Sequence, residues 1–199
     1  MSSFISKLFS KVEVVDVEKL KTQATLSFEK SQFDKQLFLT TFSNKLNTEA
    51  YESFLCSCLQ VERFHKIPLY EEVERLKEYI QFANKNSSYT FFYKFEVKGL
   101  EDKSIMIEPF VLLPLIMNAL YKGYNSLEKF PVRIRINLSH SKLKLEVSNR
   151  VNHNLTDQED NEDIKCFKAR LNDLYSDKHN LIFNSNTNLF KATLILDLS

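Results

Sequence analysis

The stretch IEPFVLLPLIMNALYKG, residues 107–123, decides how the rest of the chain is read. Ile107 to Tyr121 is strongly apolar, and the run closes on Lys122-Gly123, a cation followed by a glycine, which suits a helix C-terminus. Pro109 and Pro114 stand within it, so the regular helix is predicted to begin near Pro114, where a proline's missing N–H leaves no hydrogen bond unmade.

Downstream the period changes from helical to alternating. Val132, Ile134, Ile136 and Leu138, then Leu143, Leu145 and Val147, read as two strands joined through Ser-His-Ser into a hairpin. A polar loop is expected over Asn149–Asp163, a short helix over Phe167–Tyr175, and two last strands at Leu181–Phe183 and Leu189–Leu198. Upstream, Gly99–Lys103 is a loop, Phe91, Tyr93, Phe95 and Val97 alternate as a half-buried strand, and Asn84–Ser88 is a turn. Leu69–Ala83 is helical, with Val73, Leu76, Ile80 and Ala83 on one face and Glu71, Glu74 and Glu78 alternating with Arg75 and Lys77 on the other.

Residues 13–65 carry apolar side chains at helical spacing without a proline or glycine, and Asn44, Asn47 and Thr48 mark a turn between two helices. Pro68 closes this unit. The expected architecture is α/β: an N-terminal helical hairpin over residues 1–66, then a two-layer sandwich over 67–199 with helices on one face of a mixed sheet. The wide apolar stripe of the hairpin, at Phe33, Leu37, Phe38, Phe42 and Leu46, is the expected dimer interface.

Composition narrows the function. The 199 residues carry a formal net charge of +1, so no global field attracts nucleic acid, and no apolar run is long enough to span a bilayer. Phe4, Ile5, Leu8 and Phe9 with Lys7 and Lys11 suggest a short amphipathic N-terminal helix and no signal peptide. Cys56, Cys58 and Cys166 are odd in number and without framework spacing, which points to a reducing, cytoplasmic setting. Cys56, Cys58 and His65 lack a zinc-site pattern, and His140, His153 and His179 form no cluster with it. There are only two glycines, Gly99 and Gly123, and such a chain cannot build a glycine-rich phosphate loop.

Five segments in consistent order resemble LytS-type sensor histidine kinases. IEPFVLLPLIMNALYKG is similar to that family's N-box helix, iPpllLqpLvENAikHg, matching at Pro109, Leu113, Pro114, Leu115, Asn118, Ala119 and Gly123. IPLYEEVERLKEYIQFANK (67–85) looks like the segment leading into its ATPase domain, LKLEVSN (143–149) like the strand entering the nucleotide site, and RLNDLYSDKHNL (170–181) like its RLellYgdkh.l. QFDKQLFLTTFSN (32–44) resembles the phosphoacceptor motif QinPHFLFNtLN. The resemblance implies a GHKL (histidine-kinase ATPase-like) fold, with Asn118, Lys122, Gly123 and Asn149 at the nucleotide position and Asn118 as a relict magnesium ligand.

The departures fall on the chemistry. The family's PH dipeptide is Lys35-Gln36 here, and the Gln36 amide is no nucleophile near neutral pH. The N-box glutamate is Met117, whose thioether cannot take a proton. A lone Asn118 carbonyl is a thin site for magnesium. The family's histidine before the glycine is Lys122, which could hold an anion or complement the helix dipole. Asn161-Glu162-Asp163-Ile164 stands where the lid GiGLxNvrxRL has glycines, inside an acidic stretch, TDQEDNED (156–163), that would meet a triphosphate with like charge. That stretch reads as a solvated loop or as a dock for a basic partner. Asn149 stands where many relatives carry an adenine-reading aspartate, and Met117 and Tyr121 are expected to fill the vacated pocket.

The expectation is a pseudokinase, a non-catalytic signalling module without cofactor. It would act as a homodimer, or as a heterodimer with a histidine kinase, with a response regulator as a further partner and no nucleic acid. The alternative is an active ATP-dependent histidine kinase of two-component signalling with an atypical site, requiring ATP and Mg.

Overall fold

The structure, a computed structural model, describes residues 16–44, 48–86, 91–153 and 158–199. Leu46, the expected N-terminal amphipathic helix, residues 87–88 of the expected 84–88 turn, and Thr156 and Asp157 of the acidic stretch lie outside those residues, while residues 84–86 of that turn are the last of a helix instead. The chain runs α1 (Val17–Gln32), α2 (Lys35–Asn44), α3 (Thr48–Leu59), β1 (Ile67–Pro68), α4 (Leu69–Asn86), β2 (Tyr93–Lys98) and β3 (Met106–Ile107). It continues α5 (Leu113–Lys122), β4 (Val132–Ser139), β5 (Lys142–Arg150), α6 (Glu162–Tyr175), β6 (His179–Ser185) and β7 (Leu189–Asp197).

Five strands form one mixed sheet in the order β2-β4-β5-β7-β6. The β2–β4 pair is parallel and the other three are antiparallel, which gives the α/β sandwich expected from the sequence. Inward residues alternate cleanly along β4 and β5: Val132, Ile134, Ile136, Leu143, Leu145 and Val147 are each at most 1% exposed. That alternation follows from the two-residue strand period, and all inward side chains share one core with α4, α5 and α6.

Some boundaries differ from the sequence reading. A short antiparallel ladder pairs β1 with β3, Ile67 opposite Ile107, in a place where two-residue strands leave no periodic signal. The last helix starts at Glu162, five residues before the expected Phe167. Asn161 is its N-cap, accepting from the Ile164 N–H at 3.1 Å, and Glu162 and Asp163 occupy its first turn, where the helix dipole favours carboxylates. The last three residues of the acidic stretch, Asn161 to Asp163, are therefore a helix start rather than a loop.

The N-terminal helices are also more broken than a simple hairpin. Phe33 leaves the helical region at φ −131°, and Asp34 caps a new helix by accepting from the N–H groups of Gln36 (2.9 Å) and Leu37 (3.1 Å). Helix α1 lies along α6, and Phe28, Leu37, Tyr51 and Cys58 join the same core as the sandwich. Among the described residues, no helix is long and apolar enough to cross a membrane.

Candidate functional site

Helix α5 starts without a side-chain cap, and Pro114 in its first turn supplies the pre-set backbone instead. Leu113, Leu115, Ile116, Ala119 and Leu120 turn into the core, which leaves Met117, Tyr121 and Lys122 half-buried on the other side. That side faces the α1–α2 break across a cleft of about 320 Å³, lined by Phe33, Asp34, Lys35, Gln36, Met117, Asn118, Tyr121 and Lys122 among others. The phosphoacceptor-like segment and the N-box-like helix, far apart in sequence, thus meet at one place. At the rim Lys30 binds Asp163 at 2.6 Å, tying α1 to the first turn of α6. The hydrogen bond to Asp163 holds the Lys30 ammonium above its ordinary value, against a smaller burial effect. The lining offers lysines, the carboxylates of Asp34 and Asp163, amides, a phenol and a thioether, with Lys30 already paired to Asp163. Gln36 cannot attack a phosphoryl group and Met117 cannot take a proton.

Beside the cleft Asn149 and Asn118 are linked through Gln158. The Gln158 side chain donates to Asn149 Oδ1 at 3.1 Å, and Asn149 Nδ2 donates to the Arg150 carbonyl at 2.8 Å. Asn118 Nδ2 donates to the Gln158 carbonyl at 3.1 Å, while Asn118 Oδ1 accepts from Asn161 at 3.1 Å. Asn118 Oδ1 thus already has a protein donor. Gly123 permits this closure: a Cβ there would stand 2.4 Å from the Ala119 carbonyl oxygen and 2.5 Å from Asn149 Nδ2. Asn149 is 1% exposed and Asn118 7% exposed, so both need these partners. Among the described residues no group of three or more histidine, cysteine or carboxylate side chains could hold a metal ion.

Two buried polar clusters support the site, and the sequence reading named neither as such. Asp34 accepts from the hydroxyls of Tyr79, at 2.6 Å, and of Tyr121. Burial first, and the Asp34 charge second, push both phenols above the ordinary tyrosine value, so they stay protonated donors. The second cluster holds the turn that leads into α5. Phe110 sits at φ +56°, a left-handed backbone that a bulky side chain rarely adopts. Buried Glu72 accepts from the Phe110 N–H at 3.0 Å. Arg170 donates to the carbonyls of Pro109 and Phe110, and its guanidinium lies 5.1 Å from the Phe28 ring. Arg75 lies 3.7 Å from Glu72 and 5.1 Å from the Phe110 ring. Burial raises the Glu72 carboxyl, and the Phe110 N–H and the two arginines pull it back. Burial lowers Arg170 to about 10, opposed chiefly by Glu72. A glutamate on the apolar side of the 69–83 helix was the signal that could have revealed this cluster.

The expected dimer stripe divides. Leu37 is 3% exposed inside the chain's own core, because the α2 cap turns it toward α4. Phe33, Phe38 and Phe42 stack in series, with ring centroids 5.3 and 4.6 Å apart. Phe33 and Phe42 remain more than a third exposed.

Layers, strand order and helix placement define the class: a histidine-kinase ATPase-like fold. Two solved structures share it. The chain is similar to Acinetobacter baumannii histidine kinase AdeS, with TM-score 0.51, 12% identity, and 91% of this chain and 98% of that chain covered. It is equally similar to the histidine kinase domain of the Erythrobacter litoralis EL346 blue-light activated histidine kinase, with TM-score 0.51, 12% identity and coverage of 91% and 96%. No family model matches the sequence, and no curated protein does.

Proposed function

We propose that the chain is a degenerate LytS-type histidine-kinase-like module, a pseudokinase that signals by binding and uses no cofactor. The observation that carries this reading is self-occupancy. Asn149 and Asn118, aligned by resemblance with adenine-reading and magnesium-holding positions, are hydrogen-bonded to Gln158 and Asn161 of the same chain. A nucleotide would have to displace these buried amide bonds and enter without a glycine lid. Gln36 and Met117, at the acceptor and base positions, add the missing chemistry.

Calorimetry with ATP and ADP, with and without magnesium, tests this. The expected result is no saturable heat at millimolar nucleotide. Micromolar magnesium-dependent binding would overturn it in favour of the active-kinase alternative, and phosphotransfer to a partner would then be measured.

The same reading makes residues 1–66 the dimerising part and 67–199 the ATPase-like part. The exposed rings of Phe33 and Phe42 are its contact surface, with a second copy or a histidine kinase as partner and a response regulator downstream. Light scattering at tens of micromolar is expected to give a dimer that Phe33→Asp with Phe42→Asp converts to monomer. A monomeric parent chain would remove the homodimer.

A further inference from the structure

The helix-free face of the sheet is not evenly charged. Strand register places Lys94, Arg133, Ser148 and Lys191 in one row across β2, β4, β5 and β7, all on that face. The next row, Glu96, Arg135, Glu146 and Thr193, contains the carboxylates, and they pair locally: Glu96 with Arg135 at 3.2 Å, Glu146 with Lys144 at 3.2 Å and with Lys191. Arg133 is exposed and has no ion-pair partner among the described residues.

Apolar side chains gather at the same end. The α5–β4 loop turns at Leu127–Phe130, closed by the Phe130 N–H on the Leu127 carbonyl at 2.9 Å. It is fastened to β5 by the Tyr124 N–H on the Arg150 carbonyl at 3.0 Å. The Arg150 guanidinium lies 4.7 Å from the Phe130 ring and 5.9 Å from the Tyr124 ring, and the Lys129 ammonium lies 5.7 Å from Phe130. Register sets Leu189 opposite Arg150. Tyr124, Leu127, Phe130 and Leu189 are 42%, 41%, 41% and 44% exposed. One end of the sheet therefore presents four apolar side chains among Lys94, Lys129, Arg133 and Arg150, against Glu128, while Lys191 and Glu146 pair with each other.

We propose that this end of the sheet is a peripheral docking surface for an anionic lipid bilayer. A row of cations would suit any polyanion. The aliphatic Leu127 and Leu189 favour a bilayer, because they gain by entering an acyl layer, whereas Tyr124 and Phe130 could also stack on bases and make an oligonucleotide the competing outcome of the test. Lysine and arginine can lay their stems along the rings while their charged heads stay at headgroup level, as Arg150 does over Phe130. Each such cation near an anionic leaflet adds to the attraction, within a Debye length of the surface. The surface is independent of the nucleotide position and of the pseudokinase reading.

Flotation of the whole chain tests the proposal, with phosphatidylcholine vesicles and with vesicles in which a third of the lipid is phosphatidylglycerol. The expected result is at least about tenfold more bound chain on the anionic vesicles, falling as salt is raised. Arg133→Glu with Lys191→Glu should abolish the excess. Leu127→Ser with Phe130→Ser should cut it about tenfold with the melting curve unchanged, since both side chains are exposed. Equal binding to both vesicle types would overturn the proposal, as would full binding by the Leu127→Ser, Phe130→Ser variant. So would tighter binding to a single-stranded oligonucleotide than to the anionic vesicles at the same salt.

Discussion

Replacing Arg170 by methionine is expected to remove about 3–5 kcal/mol of stability, the range for breaking a buried charge cluster by deleting one partner. For a chain of this size that lowers the midpoint of thermal unfolding by roughly 10 °C. The reasoning is local. Arg170 is 0% exposed and donates to the carbonyls of Pro109 and Phe110, so methionine would leave both without that donor. Glu72, 1% exposed, would keep only Arg75 as a compensating cation. The left-handed Phe110 turn would lose one of the two groups that hold it, and helix α5 starts three residues later. Arg170→Lys keeps a charge without the planar fork and should fall between parent and Arg170→Met.

The pH dependence of the deficit has a sign. Burial raises the folded-state pKa of Glu72, and losing a nearby cation raises it further. The folded chain then binds more protons than the unfolded chain once pH exceeds the ordinary glutamate value, so stability falls as pH rises through that window. The Arg170→Met deficit should therefore be largest near and above neutral pH and smaller toward pH 5. Urea unfolding at several pH values measures it. A variant within about 1 kcal/mol of the parent at neutral pH would mean that the cluster does not hold the turn.

Asp34→Ala should come next, at about 4 kcal/mol. Two buried hydroxyls lose a charged acceptor, each such bond contributing about 1.5 kcal/mol or more. Helix α2 also loses its N-cap, typically about 1 kcal/mol. Asp34→Asn retains an oxygen for the cap and should cost less. The consequence reaches the cleft, because Tyr121 and Asp34 both line it and the α1–α2 break turns on Asp34. Chemical denaturation gives the energy, and amide exchange of the α2 N-terminus shows whether the break has loosened. Unchanged protection at Gln36 and Leu37 would show that the cap carries little.

The Glu72–Arg170 cluster also shows what sequence patterning conveys. In the 69–86 helix, Val73, Leu76, Ile80 and Ala83 announce a buried face by spacing alone. Glu72 falls on the buried side as well, yet a single carboxylate there reads as a solvated charge until a partner from residue 170 is known. The true start of the last helix is hidden from the sequence for a related reason. Asn161, Glu162 and Asp163 look like loop residues, but they are an N-cap and an acidic first turn.

For this protein the sequence by itself determined the order of the longer elements from the 69–86 helix onward, the alternation of β4 and β5, and the side-chain chemistry of Gln36 and Met117. Each is local, since periodicity and residue chemistry need no knowledge of distant neighbours. Tertiary structure alone decided three things: that Gln36 and Met117 share a cleft, that Gln158 and Asn161 engage Asn149 and Asn118, and that Leu37 is buried within the chain. It also decided the charge pattern of the open sheet face. A formal charge of +1 conceals a row of cations that appears only once strand register aligns Lys94, Arg133 and Lys191. Register depends on which strands pair, a relation between positions far apart in the chain that no local window of sequence contains.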